Sequence, residues 1–170
     1  MRALVAVVLG SVIVVAGAGA AEPSAIDNPA IDMPAFLVLT GEAAALRERH
    51  RVSEAEFLRL SRQPGTIVLD ARSQEKYDLL HVRGALHLDF SDIAVASLEQ
   101  LIPDRSTRIL IYCNNNFSGA EDPFPSKLPA ASLNLSTYVA LYTYGYRNVY
   151  ELGPQVELGR SKLPFDGRGR

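Results

Sequence analysis

The one cysteine of the 170-residue chain, Cys113, is the residue whose position most clearly suggests chemistry. It follows an aliphatic, β-branched run at 108–112 and precedes three polar residues, Asn114, Asn115 and Asn116. This pattern predicts a buried strand that ends at the cysteine and is followed by a loop. In open α/β sheets, ligands bind beyond the carboxyl ends of the strands, where loop N–H groups could stabilise a thiolate or persulfide. The alternative is that Cys113 is a small apolar residue of the core, a common position for a free cysteine.

The composition is that of an ordinary globular protein with enough residues for one domain and a real core. Hydrophobic residues make up 48% of the chain, charged residues 21%, and the net charge is −2. This balance gives no electrostatic argument for a nucleic acid or an anionic membrane as a partner. A single cysteine cannot form an internal disulfide, so the fold is predicted not to depend on one.

The first 21 residues differ from the rest of the chain. Met1 and Arg2 precede an apolar run that ends in small residues near Ala20 and Ala21. A short positive start, an apolar segment and small residues at its end are typical of a secretory signal peptide. We therefore expect an exported protein, periplasmic in a Gram-negative bacterium and otherwise secreted, with no membrane span in its mature form. The alternative is a retained membrane anchor, since the run approaches spanning length.

Several elements are predicted between this leader and the cysteine. Residues 22–40 are expected to form an extended lead-in, and 41–50 a short helix, which together with Arg51 make an N-terminal extension at 22–51. Ser53 and Glu56 have the spacing of a capping box, which predicts a helix that ends at Pro64 and Gly65. Strands and helices then alternate as strand 66–70, helix 73–79, strand 85–88, helix 91–101 and strand 108–112.

The chain beyond the cysteine is irregular as far as residue 131 and then becomes periodic again. Apolar residues recur at helical spacing from Leu133 to Tyr144, and Gly145 is placed to end that helix. A short strand follows at 148–150, and the tail from 153 is expected to wrap the surface or fray. Alternating strands and helices at short spacing predict an α/β domain with a mostly parallel sheet.

Three segments together resemble the rhodanese-like family. They are Val68-Leu69-Asp70-Ala71-Arg72, the segment from Glu75 to His87, and Ile109-Leu110-Ile111-Tyr112-Cys113. The segment from Gly145 to Leu152 is also similar to the family's closing helix–strand junction. The resemblance implies a rhodanese-like domain at 52–154, with a central, mostly parallel sheet flanked by helices on both faces, and a C-terminal tail at 155–170.

The resemblance implies that Cys113 is a catalytic nucleophile that carries sulfane sulfur as a persulfide, in a ping-pong transfer from a donor such as thiosulfate to a thiophilic acceptor. The expected partners are a small sulfur-containing anion or thiol, with a protein as a further candidate sulfur acceptor. Arg72 could supply a cation for an anionic donor, or could form a structural ion pair with Asp70 or Glu75. His81 corresponds to a structural residue of the family. No group of metal ligands surrounds it or His87, so we expect no metal and no cofactor.

The segment after Cys113 departs from the family pattern, because it carries an insertion of about 15 residues at roughly 117–131. Asn114, Asn115 and Asn116 could still form an anion-binding loop, together with Phe117 and Ser118. Lys127 could replace the arginine that the family often has in this loop. We include all six residues, with Arg72, among the candidate substrate-binding residues.

Two functions therefore remain open from the sequence. The first is an exported, monomeric sulfurtransferase whose enlarged loop selects the donor or acceptor. The second is a non-catalytic rhodanese-like binding module, in which the insertion is the interaction surface. A phosphatase-like relative is disfavoured, because that chemistry requires an arginine where this chain has Gly119.

Overall fold

A five-stranded, wholly parallel sheet forms the centre of the computed structural model, which describes residues 28–168. Its order is β1-β7-β5-β2-β4. The strands are β1 (Arg51–Val52), β2 (Thr66–Asp70), β4 (Leu86–His87), β5 (Arg108–Tyr112) and β7 (Val149–Leu152). β5 pairs with β2 on one side and β7 on the other, so the strand that leads to Cys113 occupies the middle of the sheet. The predicted mostly parallel sheet is confirmed.

Helices cover both faces of this sheet. The helices are α1 (Met33–Arg47), α2 (Glu54–Ser61), α3 (Gln74–Leu79), α4 (Val95–Leu101) and α5 (Leu133–Thr143). Because side chains alternate along a strand, Leu110 packs with α2 on one face, whereas Ile109 and Ile111 pack with α1, α4 and α5 on the other. This alternation explains why β5 is buried along almost its whole length.

Two small sheets lie beside the main one. β3 (His81–Val82) pairs antiparallel with β9 (Phe165–Asp166), and β6 (Phe117–Ser118) pairs parallel with β8 (Val156–Glu157). The tail does more than wrap the surface, because Leu163 and Phe165 are core residues. The insertion after Cys113 is also built into the domain, since Phe124 is 1% exposed and packs on Phe165.

The N-terminal extension differs from the prediction in one respect. The lead-in was expected to be extended to residue 40, but α1 already begins at Met33. Pro34 explains the difference, because a proline in the first helical turn removes an N–H that has no intrahelical partner in any case. The predicted end of α5 is confirmed, with Gly145 at a φ of 93° just after the cap.

The predicted leader at 1–21 lies outside the described residues, so signal peptide and anchor both stay predictions. Residues 28–32 belong to a separate unit and contain a turn at Pro29 and Ala30. Among the residues that the structure describes, no helix has the length and apolar character needed to cross a membrane.

Candidate active site around Cys113

Cys113 follows β5 at the carboxyl edge of the sheet and is 1% exposed. Its Sγ atom lies 3.3 Å from Oγ of Ser132, which precedes α5, so the hydroxyl can donate a hydrogen bond to a thiolate at this position. The thiol is also on the wall of an open cavity of about 180 Å³. Cys113 is thus enclosed, but its surroundings are polar as well as aliphatic. The residues that line the cavity with it are Arg47, Asn115, Asn116, Pro129, Ser132, Asn134, Leu135, Glu151 and Gly153.

An ion pair forms one side of this cavity. The guanidinium of Arg47, the last residue of α1, donates through Nε to Oε2 of Glu151 and through Nη2 to Oε1 at 2.7 Å. Glu151 is positioned by the sheet, because it lies opposite Ile111, two residues before the cysteine. The two side chains are 17% and 5% exposed. Hydrogen bonding to Glu151 raises the pKa of Arg47, so the cation is retained across the accessible pH range.

Asn116 holds the segment after the cysteine in place. Its Oδ1 accepts from the backbone N–H of Cys113 at 2.8 Å and from Nδ2 of Asn134 at 2.9 Å. Its Nδ2 donates to the carbonyls of Leu152 at 2.7 Å and Pro154 at 3.1 Å. The side chain therefore connects the ends of β5 and β7 with the first turn of α5, and its hydrogen-bonding groups are all used.

The neighbouring asparagines have different surroundings. Asn115 exchanges two hydrogen bonds with the backbone of Lys127, at 2.9 and 3.0 Å, and thereby fixes the insertion to the cysteine loop. Asn114 is 5% exposed, and its Oδ1 has no hydrogen-bond partner among the described residues. It faces a second cavity of about 280 Å³, which Lys76 and Lys127 also line.

Phe117 and Ser118 leave the cysteine instead of curling around it. They form β6, which pairs with β8, and Phe117 is 1% exposed. Its ring packs 4.7 Å from that of Phe124 and 5.1 Å from that of Phe165. Neither residue lines the Cys113 cavity, so the structure does not bring these two substrate-binding candidates to the sulfur.

Arg72 is buried in a network of hydrogen bonds. It donates to both carboxylate oxygens of Asp70, to the carbonyl of Leu80 at 2.7 Å and to that of Pro123 at 2.8 Å. Its guanidinium carbon lies 4.3 Å from the ring centroid of Phe124. Burial lowers the pKa of Arg72, but the hydrogen bonds and charge of Asp70 outweigh this effect, and the net shift is upward. These contacts favour the structural ion pair over binding of an anionic donor.

The histidines of the central motif also have structural partners. Nδ1 of His81 lies 2.7 Å from the carbonyl of Tyr77, and the two rings stack with centroids 3.8 Å apart. Nε2 of His87 lies 2.7 Å from the carbonyl of Arg72. Within residues 28–168, no three histidine, cysteine, aspartate or glutamate side chains come together as a metal site would require.

Four residues with polar or charged side chains line the cavity but were not among the sequence candidates: Arg47, Ser132, Asn134 and Glu151. Glu151 could have been suspected from the sequence, because it is a charged residue within an otherwise apolar strand. Asn134 lines the cavity, is 2% exposed, and has a buried Oδ1 with no hydrogen-bond partner among the described residues. Ser132 and Arg47 carried no comparable signal, because only the tertiary fold brings them to the cysteine.

Comparisons with known proteins agree with this architecture. A family model described as "Rhodanese-like domain" matches residues 53–152. A search of curated proteins found no match.

Several solved structures are similar to this chain at low sequence identity. An EanB variant in complex with hercynine is 16% identical, with a TM-score of 0.52 and coverage of 72% of this chain and 28% of that one. An Escherichia coli rhodanese with anions is 20% identical, with a TM-score of 0.41 and coverage of 60% and 98%. A thiosulfate sulfurtransferase from Pseudomonas aeruginosa is 19% identical, with a TM-score of 0.45 and coverage of 71% and 21%. On the strength of the family model, which spans more than half of its residues, the chain belongs to the rhodanese-like domain family.

Proposed function

We propose that this protein is a sulfurtransferase that carries sulfane sulfur as a persulfide on Cys113. The observation that carries the proposal is the position of Sγ, on the wall of a polar cavity at the carboxyl edge of the sheet, with the Ser132 hydroxyl 3.3 Å away. This is the position at which open α/β folds bind ligands, and the family of the chain supports the same chemistry.

The reaction has two displacement steps. The thiolate of Cys113 attacks the outer sulfur of thiosulfate, a sulfur–sulfur bond forms, and sulfite leaves with the electron pair of the bond that breaks. Cyanide or another thiophile then attacks the outer sulfur of the persulfide, and the Cys113 thiolate leaves unchanged. The Ser132 hydroxyl lies where it can donate a hydrogen bond to Sγ when Cys113 is a free thiolate.

The size of the cavity favours a small donor. At about 180 Å³, it is smaller than the roughly 300–1,000 Å³ of sites that enclose drug-sized ligands. Thiosulfate or a similarly small sulfur anion fits this space, whereas a large acceptor would have to approach from the open side. We further propose that transfer takes place outside the cytosol, on the evidence of the leader sequence alone.

The direct test uses thiosulfate as the donor and cyanide as the acceptor. Wild type is expected to gain the mass of one sulfur atom on Cys113 and to produce thiocyanate, and Cys113→Ser to do neither. Ser132→Ala should lower the loading rate about tenfold, because it removes a hydrogen bond to a charged group. Ser136→Ala is the matched control, since Ser136 is exposed on α5 and does not line the cavity. A wild type that takes up no sulfur from several donors would contradict the proposal.

The second candidate is a binding module that uses the insertion as its surface. Leu128, within the insertion, is 78% exposed, so the insertion presents an apolar side chain that a partner could cover. If wild type carries no sulfur, this candidate predicts that Leu128→Ser leaves the fold intact and abolishes binding of a protein partner.

A further inference from the structure

The helix α1 lies outside the segment that matches the family, yet it contributes to the Cys113 cavity. The family match covers residues 53–152, whereas α1 spans Met33–Arg47. The helix packs against α5 and β7, and this places Arg47 on the cavity wall beside Glu151. An element of the N-terminal extension thus completes a site that the family segment alone would leave open on this side.

The Arg47–Glu151 ion pair and the thiol of Cys113 line the same cavity. Glu151 is 4% exposed, and a buried carboxylate close to a thiol opposes formation of the thiolate. Arg47 neutralises that carboxylate through two hydrogen bonds. Without Arg47, the cavity would hold a buried negative charge at the place where sulfur must become negative.

The other titratable groups around the cavity do not replace Arg47. On α1, Glu48 lies 3.6 Å from Arg47 and is largely exposed. On α5, burial and the charge of Glu151 raise the pKa of Tyr138 to about 12, so its hydroxyl is neutral at ordinary pH. Before β1, Nδ1 of His50 lies 2.9 Å from the carbonyl of Val149. Of the residues on the cavity wall, Cys113, Arg47 and Glu151 are the ones that ionise.

We propose that Arg47 is a positioning residue for the chemistry of Cys113, which it supports by cancelling the charge of Glu151 on the wall of the same cavity. The helix α1 then contributes a functional residue to the sulfur site. This inference deepens the proposed sulfurtransferase function and rests on it for its biological meaning. The effect on thiolate formation, however, can be measured without any sulfur transfer.

The test compares the pH dependence of Cys113 alkylation in four proteins: wild type, Arg47→Met, Glu151→Gln and the double variant. Iodoacetamide is the probe, because a neutral reagent is not itself attracted by Arg47. The signal belongs to Cys113 alone, since the chain has one cysteine. Arg49→Met is the control, because Arg49 is exposed, lies two residues beyond Arg47 and does not line the cavity.

The expected order of the pH midpoints follows from the net charge left at the wall. Arg47→Met leaves an unpaired carboxylate and should raise the midpoint by about one pH unit. Glu151→Gln leaves the cation of Arg47 without its buried partner and should lower the midpoint by a similar amount, while the double variant should return close to wild type. Arg49→Met should not move it.

Two results would overturn the inference: equal midpoints in all four proteins, or a double variant that stays as far from wild type as Arg47→Met. If Arg47→Met does not fold, the comparison of Glu151→Gln with the double variant still measures the contribution of Arg47. A wild type that accepts no sulfur, but whose variants show the expected order of midpoints, would refute the proposed function and leave this inference standing.

Discussion

Substitution of Arg72 by methionine separates the two roles that the sequence left open for this residue. Methionine keeps much of the apolar stem but removes every donor. The change leaves the carboxylate of Asp70, which is 0% exposed, without its ionic partner. It also leaves the carbonyls of Leu80 and Pro123 without their Arg72 donor, and it removes the cation that packs on the ring of Phe124.

The expected loss of stability follows from this burial. Removing one partner of a buried ion pair costs about 3–5 kcal/mol, because the remaining charge is uncompensated. That is a large part of the roughly 5–15 kcal/mol by which domains are usually stable. For a domain of this size, it corresponds to a fall in Tm of about 10–15 °C. The same change at Arg83, whose pair with Asp166 is 58% and 48% exposed, should cost about 0–1 kcal/mol.

The assay combines thermal unfolding with sulfur loading from thiosulfate, measured well below the transition. We expect Arg72→Met to lower Tm strongly and to leave the half-saturating thiosulfate concentration of the folded protein within about twofold of wild type. Adding Asp70→Asn to Arg72→Met should recover part of the stability, because it removes the uncompensated charge of the carboxylate. If Arg72→Met costs no more stability than Arg83→Met, but weakens thiosulfate saturation tenfold, Arg72 binds the donor and the structural interpretation is wrong.

Three further predictions concern stability. Tyr112→Phe should lower the free energy of unfolding by about 2–3 kcal/mol in a denaturant titration, because the Tyr112 hydroxyl donates to the buried carboxylate of Asp70 at 2.5 Å and accepts from the N–H of Val82 at 3.0 Å. Tyr150→Phe loses no hydrogen bond to a described residue and should be nearly neutral in the same titration. Gly167→Ala should cost about 1–3 kcal/mol of stability in thermal unfolding, because the φ of Gly167 is 150° and a Cβ would lie 2.3 Å from the carbonyl oxygen of Leu79. Gly159→Ala should cost little, because the space around Gly159 is open, and equal losses in the two variants would refute this reasoning. Burial raises the pKa of Tyr138 from 10.0 to about 12, so the folded state keeps this proton to higher pH than the unfolded chain does. The free energy of unfolding should therefore fall as pH rises from 10 towards 12, and the fall should be smaller in Tyr138→Phe.

The fold was largely predictable, because its strands and helices are encoded locally. β2 and β5 occupy the predicted ranges, and the capping side chain of Ser53 accepts from the N–H of Glu56 as expected. The second half of that capping box is absent, because Glu56 pairs with Arg59 instead. Local patterns thus placed the helix correctly, although a neighbouring charge changed its hydrogen bonds.

The site was less predictable, because its polar groups come from distant parts of the chain. Cys113 could be found from a strand that ends in a loop, and the neighbouring Asn115 and Asn116 also line its cavity. Arg47, however, lies 66 positions before the cysteine (113 − 47) and reaches it only because α1 packs on α5 and β7. No periodicity or spacing within one segment reports such a contact.

The hydrogen bonds of Asn115 and Asn116 bear on which groups can stabilise the sulfur anion of the proposed function. Asn116 uses its side chain to join three segments, and Asn115 uses its side chain to hold the insertion at Lys127. Phe117 and Ser118 then form β6, so their backbone pairs with β8 in a second sheet. Because the side chains of Asn115 and Asn116 are committed to structure, the proposed function assigns stabilisation of the anion to Ser132 and to the charge balance between Arg47 and Glu151. The side chains of Asn115 and Asn116 therefore have an architectural role beside the sulfur, and the proposed chemistry relies on Arg47, Ser132 and Glu151 instead.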